Sequence, residues 1–204
     1  GANPIRQHLA NLNEAGTLYG AIIYNKAPIM MQQLELLLGK DAFRDGIREY
    51  MQNFAGGNAT WPDLIAIFDK RSTADITKWS DVWVNTAGRP TFDFAANGTA
   101  LETLDPTGDN RVWPQVFTVK ERIGDKSGQV LNITGIKTPL PVFGPLSDPA
   151  SDPALGRAYV EDLFLNGDGK GYGLFPANVT VFNENWDRLT DLQKGSLLIM
   201  LYEQ

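Results

Sequence analysis

Gly88-Arg89-Pro90-Thr91-Phe92-Asp93-Phe94 divides this chain into two textures. Before Pro90 the apolar residues recur at helical spacing. After it they alternate one by one. Glycine followed closely by proline ends a helix, and Thr91-Phe92-Asp93-Phe94 then reads as a half-buried strand. The chain is therefore expected to be α+β, with a helical part first and an antiparallel β part second.

Upstream of the divide, Met30, Leu34, Leu37 and Leu38 fall at i, i+4, i+7 and i+8, one face of a helix that Gly39 would end. Phe43, Ile47, Tyr50, Met51 and Phe54 repeat that spacing. Lys40, Asp41, Arg44, Asp45, Arg48 and Glu49 supply its wet side, and Gly56-Gly57 closes it. Thr60-Trp61-Pro62-Asp63 reads as a helix start. Thr60 suits the N-cap, Pro62 sits where its missing N–H costs nothing, and Asp63 meets the positive end of the dipole. Trp61, Leu64, Ile65 and Phe68 form that helix's buried stripe, and Ile76, Trp79 and Trp83 that of a fourth.

Downstream, alternating segments at 91–94, 113–119 and 130–136 are divided by Asn97-Gly98, Pro106-Thr107-Gly108, Asp125-Lys126-Ser127-Gly128 and Asn166-Gly167-Asp168-Gly169. Turn residues between alternating runs predict antiparallel hairpins, and residues 90–185 are read as a small β-sandwich. The proline-rich stretch 139–153 reads as an irregular loop. Thr190-Asp191-Leu192-Gln193 fits a capping box. The helix it opens, 190–202, is apolar nearly all round, so it is expected to be buried on several sides. That leaves it short of partners, and the preferred reading is truncation from a longer protein. The bland alternative is a terminal helix docked on the sandwich.

Composition narrows the function. A net charge of -6 and a sequence pI near 4.8 argue against nucleic acid as the main partner, because phosphate binding needs a basic face. No window approaches the roughly 18 uncharged apolar residues of a membrane span. The chain has one histidine, His8, and no cysteine, which removes disulfides and thiolate metal sites. Nothing in the sequence places the protein in a compartment.

The run Tyr24-Asn25-Lys26-Ala27 opens the first apolar helix. With Leu34-Glu35-Leu36-Leu37-Leu38-Gly39, the segment from Ala42 through Tyr50, and Gly57-Asn58-Ala59-Thr60 with Asp63-Leu64, it forms an ordered series. Trp79, Trp83-Val84-Asn85 and Gly88-Arg89-Pro90 complete it. The series resembles the M1 family of zinc aminopeptidases, in the part of the thermolysin-like catalytic domain that follows the zinc ligands. Gly169-Lys170-Gly171-Tyr172-Gly173 continues the likeness more weakly, and residues 189–202 resemble the opening of the family's C-terminal helical domain. Ala27-Pro28 departs from the family's glycine and small residue, so substrate preference does not carry over.

The resemblance implies three regions: 1–89 as the helical C-terminal half of the catalytic domain, 90–185 as the sandwich, and 186–204 as the start of the C-terminal domain. It implies that the phenol of Tyr24 donates a hydrogen bond to the oxyanion formed when water attacks the peptide carbonyl. A phenol of pKa about 10 stays protonated at working pH, and a donor aimed where charge develops stabilises the transition state over the substrate. The plain alternative is a core aromatic at a helix start. Tyr19 could approach the same cleft, though packing suits it better.

The family's zinc site needs two histidines at helical spacing around a glutamate, plus a second glutamate. His8 cannot supply it and reads as a surface or boundary residue. The expectation is no cofactor in this chain, zinc in the intact parent, and as partners the remainder of that parent and a peptide substrate. The competing reading is a non-catalytic peptide- or glycan-binding module of a degenerate peptidase-like protein. Lesser candidates dissolve. Asn166, Asp168 and Gly171 sit at calcium-loop offsets, but Lys170 stands where an oxygen ligand is required. Four Asn-x-Thr triplets, at Asn58, Asn97, Asn132 and Asn178, are short enough to recur by chance. Trp61, Trp79 and Trp83 look like packing residues more than a sugar platform.

Overall fold

The computed structural model describes residues 3–8, 11, 16, 26–121, 128–143, 160 and 163–203. Its fold class is α+β, as expected. The chain divides into two compact units, Gly1–Gly88 and Arg89–Gln204.

In the first unit, α1 (Ala27–Leu38) and α2 (Lys40–Asn53) are joined at Gly39, whose φ of 80° is a left-handed backbone that glycine adopts without penalty. α3 (Trp61–Asp69) starts where the sequence predicts. The Asp63 carboxylate accepts hydrogen bonds from the Thr60 N–H at 2.9 Å and the Thr60 hydroxyl at 2.5 Å. α4 (Ile76–Ser80) is capped by Asp75, which accepts from the Lys78 N–H at 2.7 Å, and runs on as a π-helical turn, Asp81–Asn85. The core is built from Leu34, Ile65, Phe68, Ile76, Trp79 and Trp83. Trp79 stacks on Trp83, and the Trp61 indole N–H donates to the Ser80 hydroxyl at 2.8 Å, tying α3 to α4. Phe43 stacks on Phe68 with centroids 5.4 Å apart. Gly46 permits that approach, since a Cβ there would lie 2.4 Å from Cε1 of Phe68.

Two residues assigned to the buried stripes are outside them. Leu37 is 38% exposed and Met51 67% exposed. Each sits on the last turn or so of its helix, where the partner helix has already diverged. Gln33 takes the inward position beside Leu34 in α1 instead.

The second unit holds two antiparallel sheets. β1 (Thr91–Phe94), β2 (Ala100–Leu104) and β5 (Lys137–Pro139) form one, in the order β1-β2-β5; β3 (Gln115–Val119) and β4 (Gln129–Ile133) form the other. Register is fixed by pairs such as Phe92 with Thr103 and Phe117 with Leu131. One apolar cluster takes Phe92 and Leu101 from the first sheet and Phe117, Val119, Leu131 and Ile133 from the second, the arrangement of a small sandwich. Phe92, Phe117 and Phe175 meet at its centre with ring centroids 4.8 to 5.6 Å apart. Within β3, Gln115, Phe117 and Val119 are buried and the residues between them less so, the period of two expected of a half-buried strand. The buried Gln115 amide closes onto the 171–173 segment. Its Nε2 donates to the Tyr172 carbonyl at 3.0 Å and its Oε1 accepts from the Tyr172 N–H at 2.7 Å.

The chain ends in α5 (Val179–Asn185), a 3₁₀ turn (Trp186–Arg188) and α6 (Asp191–Glu203). The capping box is present: the Thr190 N–H donates to Gln193 Oε1 at 2.9 Å and the Gln193 N–H to Thr190 Oγ1 at 3.3 Å. α6 is not buried on several sides. Met200 enters the main core and Leu197 packs with Phe164 and Leu189, while Leu198, Ile199 and Tyr202 are exposed. A helix apolar all round can present only one face to a single sheet layer. Among the described residues, no helix is long and apolar enough to cross a membrane.

Candidate functional site

Tyr24 and Tyr19 lie outside the described residues. The described chain begins two residues after Tyr24, at Lys26, whose backbone is already helical (φ -75°, ψ -44°) and forms the N-cap of α1. Pro28 falls in the first turn, where its fixed φ fits and no N–H is needed.

Lys26 is the unexpected feature here. Its side chain is among the largest fully buried ones, and the residue is 2% exposed. The ammonium donates to the Thr86 carbonyl at 3.1 Å and the Asn3 carbonyl at 3.4 Å. Thr86 caps the π-helical turn that extends α4. The last carbonyls of a helix lack intrahelical partners and carry the negative end of its dipole. Lys26 answers one of them. The Arg6 N–H answers another, donating to Val84 O at 2.9 Å. Burial disfavours the charged form and lowers the Lys26 pKa to about 8, so the ammonium is retained at neutral pH.

Sequence reading passed over this residue, yet a signal existed. A lysine at the N-terminal end of a helix opposes that helix's dipole, so its charge had to serve a group elsewhere.

His8 is exposed. Among the described residues, no three His, Cys, Asp or Glu side chains come together as a metal-binding group. With one histidine and no cysteine in the sequence, the donors here do not fit the zinc site of the family that the sequence resembles.

The remaining candidates are accounted for structurally. Asn166 Oδ1 accepts from the Gly171 N–H at 2.6 Å, and Asp168 accepts from the Thr118 hydroxyl at 2.8 Å and, less closely, the Thr118 N–H. These oxygens brace a tight turn, with φ of 52° at Asn166 and 67° at Gly169. Trp79 and Trp83 are core residues. Asn97 Oδ1 is engaged in its own hairpin, accepting from the Thr99 N–H and hydroxyl. An open cleft of about 370 Å³ in the second unit, walled by Phe94, Leu163, Pro176 and Val179 among others, has no ionisable group in its lining.

Comparison with known proteins supplies what the described residues do not. Residues 1–83 match the Peptidase family M1 domain. Aminopeptidase N of Streptomyces lividans is 27% identical over 184 residues, covering 83% of this chain and 21% of that protein. Tricorn protease-interacting factor F2 of Thermoplasma volcanium is 26% identical over 131 residues, covering 61% of this chain and 17% of that one. Among solved structures, Legionella pneumophila aminopeptidase A in complex with aspartic acid aligns over 68% of this chain and 17% of its own, at 17% identity and a TM-score of 0.48. The chain spans about a fifth of the length of the relatives it matches. Its ordered blocks from Tyr24 to Pro90 coincide with the matched stretch but for the last few residues, and the chain belongs to peptidase family M1.

Proposed function

We propose that this chain is part of a metallo-aminopeptidase that removes amino-terminal residues from peptides, and that it contributes the tyrosine side of the active site. In this reading residues 1–89 are the helical second half of the catalytic domain. Residues 90–185 are the linking sandwich, and residues 186–204 open a further helical domain. The zinc is assigned to residues outside this chain, and so is the grip on the substrate amino terminus. The partner of residues 1–204 is thus the rest of the same protein, and the chain alone is inactive.

One observation carries the reading. Tyr24-Asn25-Lys26 lies inside the segment that matches the M1 domain, and relatives of the same stretch bear the name aminopeptidase. The chemistry assigned to Tyr24 is hydrogen-bond donation. As water adds to the scissile carbonyl, the oxygen gains negative charge, and a neutral phenol aimed at it stabilises that charge without moving a proton. The donor is not needed to bind the substrate's ground state, so its loss should appear in kcat.

Tyr24→Phe in the intact protein tests this with aminoacyl 4-nitroanilides. Removing such a donor typically lowers kcat by about 10² to 10³. KM should hardly change. An unchanged kcat would refute the assignment of Tyr24. An intact protein that folds yet cleaves no substrate of the panel would favour a binding module on a peptidase-family scaffold.

A further inference from the structure

The burial of Lys26 asks for an explanation that stability does not provide. A methionine would fill nearly the same volume without desolvating a charge. Replacing buried charges by apolar groups is often neutral or stabilising. What the ammonium does supply is a fixed geometry. It joins three pieces of the first unit: the start of α1, the carbonyl end of the α4 helical stretch through Thr86, and the N-terminal segment through Asn3. The Arg6 N–H on Val84 O binds the second and third of these to each other, so the anchor is itself anchored. The Lys26 backbone is held from both its side chain and the first turn of α1, where Pro28 restricts φ.

Tyr24 is two peptide units from this clamp. Two trans units span at most about 7 Å between Cα atoms, so a shift of the Lys26 backbone is passed to Tyr24 with little room to be absorbed. An oxyanion donor must lie about 2.7 to 3.1 Å from the charged oxygen. Misplacement by about 1 Å can cost on the order of 10²-fold in rate.

We propose that Lys26 is a positioning residue for Tyr24: its buried ammonium, clamped on the Thr86 and Asn3 carbonyls, sets the backbone from which the phenol is aimed. This rests on the reading of Tyr24 as the oxyanion donor. Lys26 touches neither substrate nor reacting atoms in this account, and it acts only through the tyrosine.

A double-mutant cycle in the intact protein separates this role from plain structural support. Lys26→Met, Tyr24→Phe and the double variant are assayed on one aminoacyl 4-nitroanilide, well below the midpoint of thermal unfolding. Lys26→Met should lower kcat about 10-fold or more with KM within about twofold, and should lower it less than about twofold further when Tyr24 is already phenylalanine. The same loss in both backgrounds, or no loss in either, would overturn the proposal while leaving Tyr24 in its role. If Tyr24→Phe itself keeps full kcat, the oxyanion reading falls and the positioning proposal falls with it. Should the methionine variant fail to fold, Lys26→Gln, which keeps an N–H donor for the Thr86 carbonyl, is read in its place.

Discussion

Gly46→Ala probes the packing of the first unit, and its sign is not obvious from sequence. Glycine inside a helix costs roughly 0.5 to 1 kcal/mol relative to alanine, so the substitution would ordinarily stabilise α2. Here the added methyl would sit 2.4 Å from Cε1 and 2.7 Å from Cδ1 of Phe68, inside van der Waals contact. Phe68 has no exposed surface and is stacked on Phe43, so the ring cannot turn aside without breaking other contacts. Overpacking of this kind costs about 1 to 3 kcal/mol. Subtracting the helix gain leaves a net loss of about 1 to 2 kcal/mol. Gly195→Ala in α6 is the matched control, since a Cβ there has no neighbour within 4 Å. It should gain about 0.5 to 1 kcal/mol. Urea unfolding followed by far-UV circular dichroism and tryptophan fluorescence reads both. Opposite shifts of the midpoints at unchanged slope are expected. A Gly46→Ala protein as stable as the control would refute the tight approach of α2 to α3.

Two further outcomes follow from the second unit. Asp105 has a side chain only 1% exposed. Burial by itself would raise its pKa, but it is outweighed by hydrogen bonds from the Thr107 and Arg111 N–H groups, the Arg111 guanidinium and the Thr107 hydroxyl, and the value falls to about 2. A carboxylate with a depressed folded pKa stabilises the fold above its unfolded value near 4 and loses that contribution as pH falls toward about 2. The contribution is roughly 1 to 2 kcal/mol after allowance for screening. Asp105→Asn should therefore flatten the pH dependence of the urea midpoint between about pH 4 and pH 2, and an unaltered slope would contradict the linkage. Gln115→Leu strips partners from both the N–H and the carbonyl of buried Tyr172. It should destabilise the unit by about 2 to 3 kcal/mol, and a thermal midpoint equal to that of the parent sequence would refute this.

What the sequence disclosed follows from how far each signal reaches. The Pro90 divide, the four helices before it and the capping boxes at Thr60 and Thr190 depend on residues within one turn of each other, and they were legible. β2 and β5 were not. Ala100–Leu104 buries three of its first four residues and so hides its alternation, and Lys137–Pro139 is three residues long. The exposure of Leu37, Met51 and Ile199 depends on which neighbour ends where, a fact no local pattern carries. At the candidate site the sequence pointed to Tyr24 by resemblance. It gave no weight to Lys26, because the partner of that lysine, Thr86, is 60 residues away.

Zinc content and hydrolysis, measured side by side for the intact protein and for residues 1–204, test the central claim most directly. The account predicts bound zinc and cleavage of aminoacyl 4-nitroanilides for the intact protein, and neither for residues 1–204 by themselves. A folded intact protein without zinc or cleavage would contradict it, as would hydrolysis by residues 1–204 on their own.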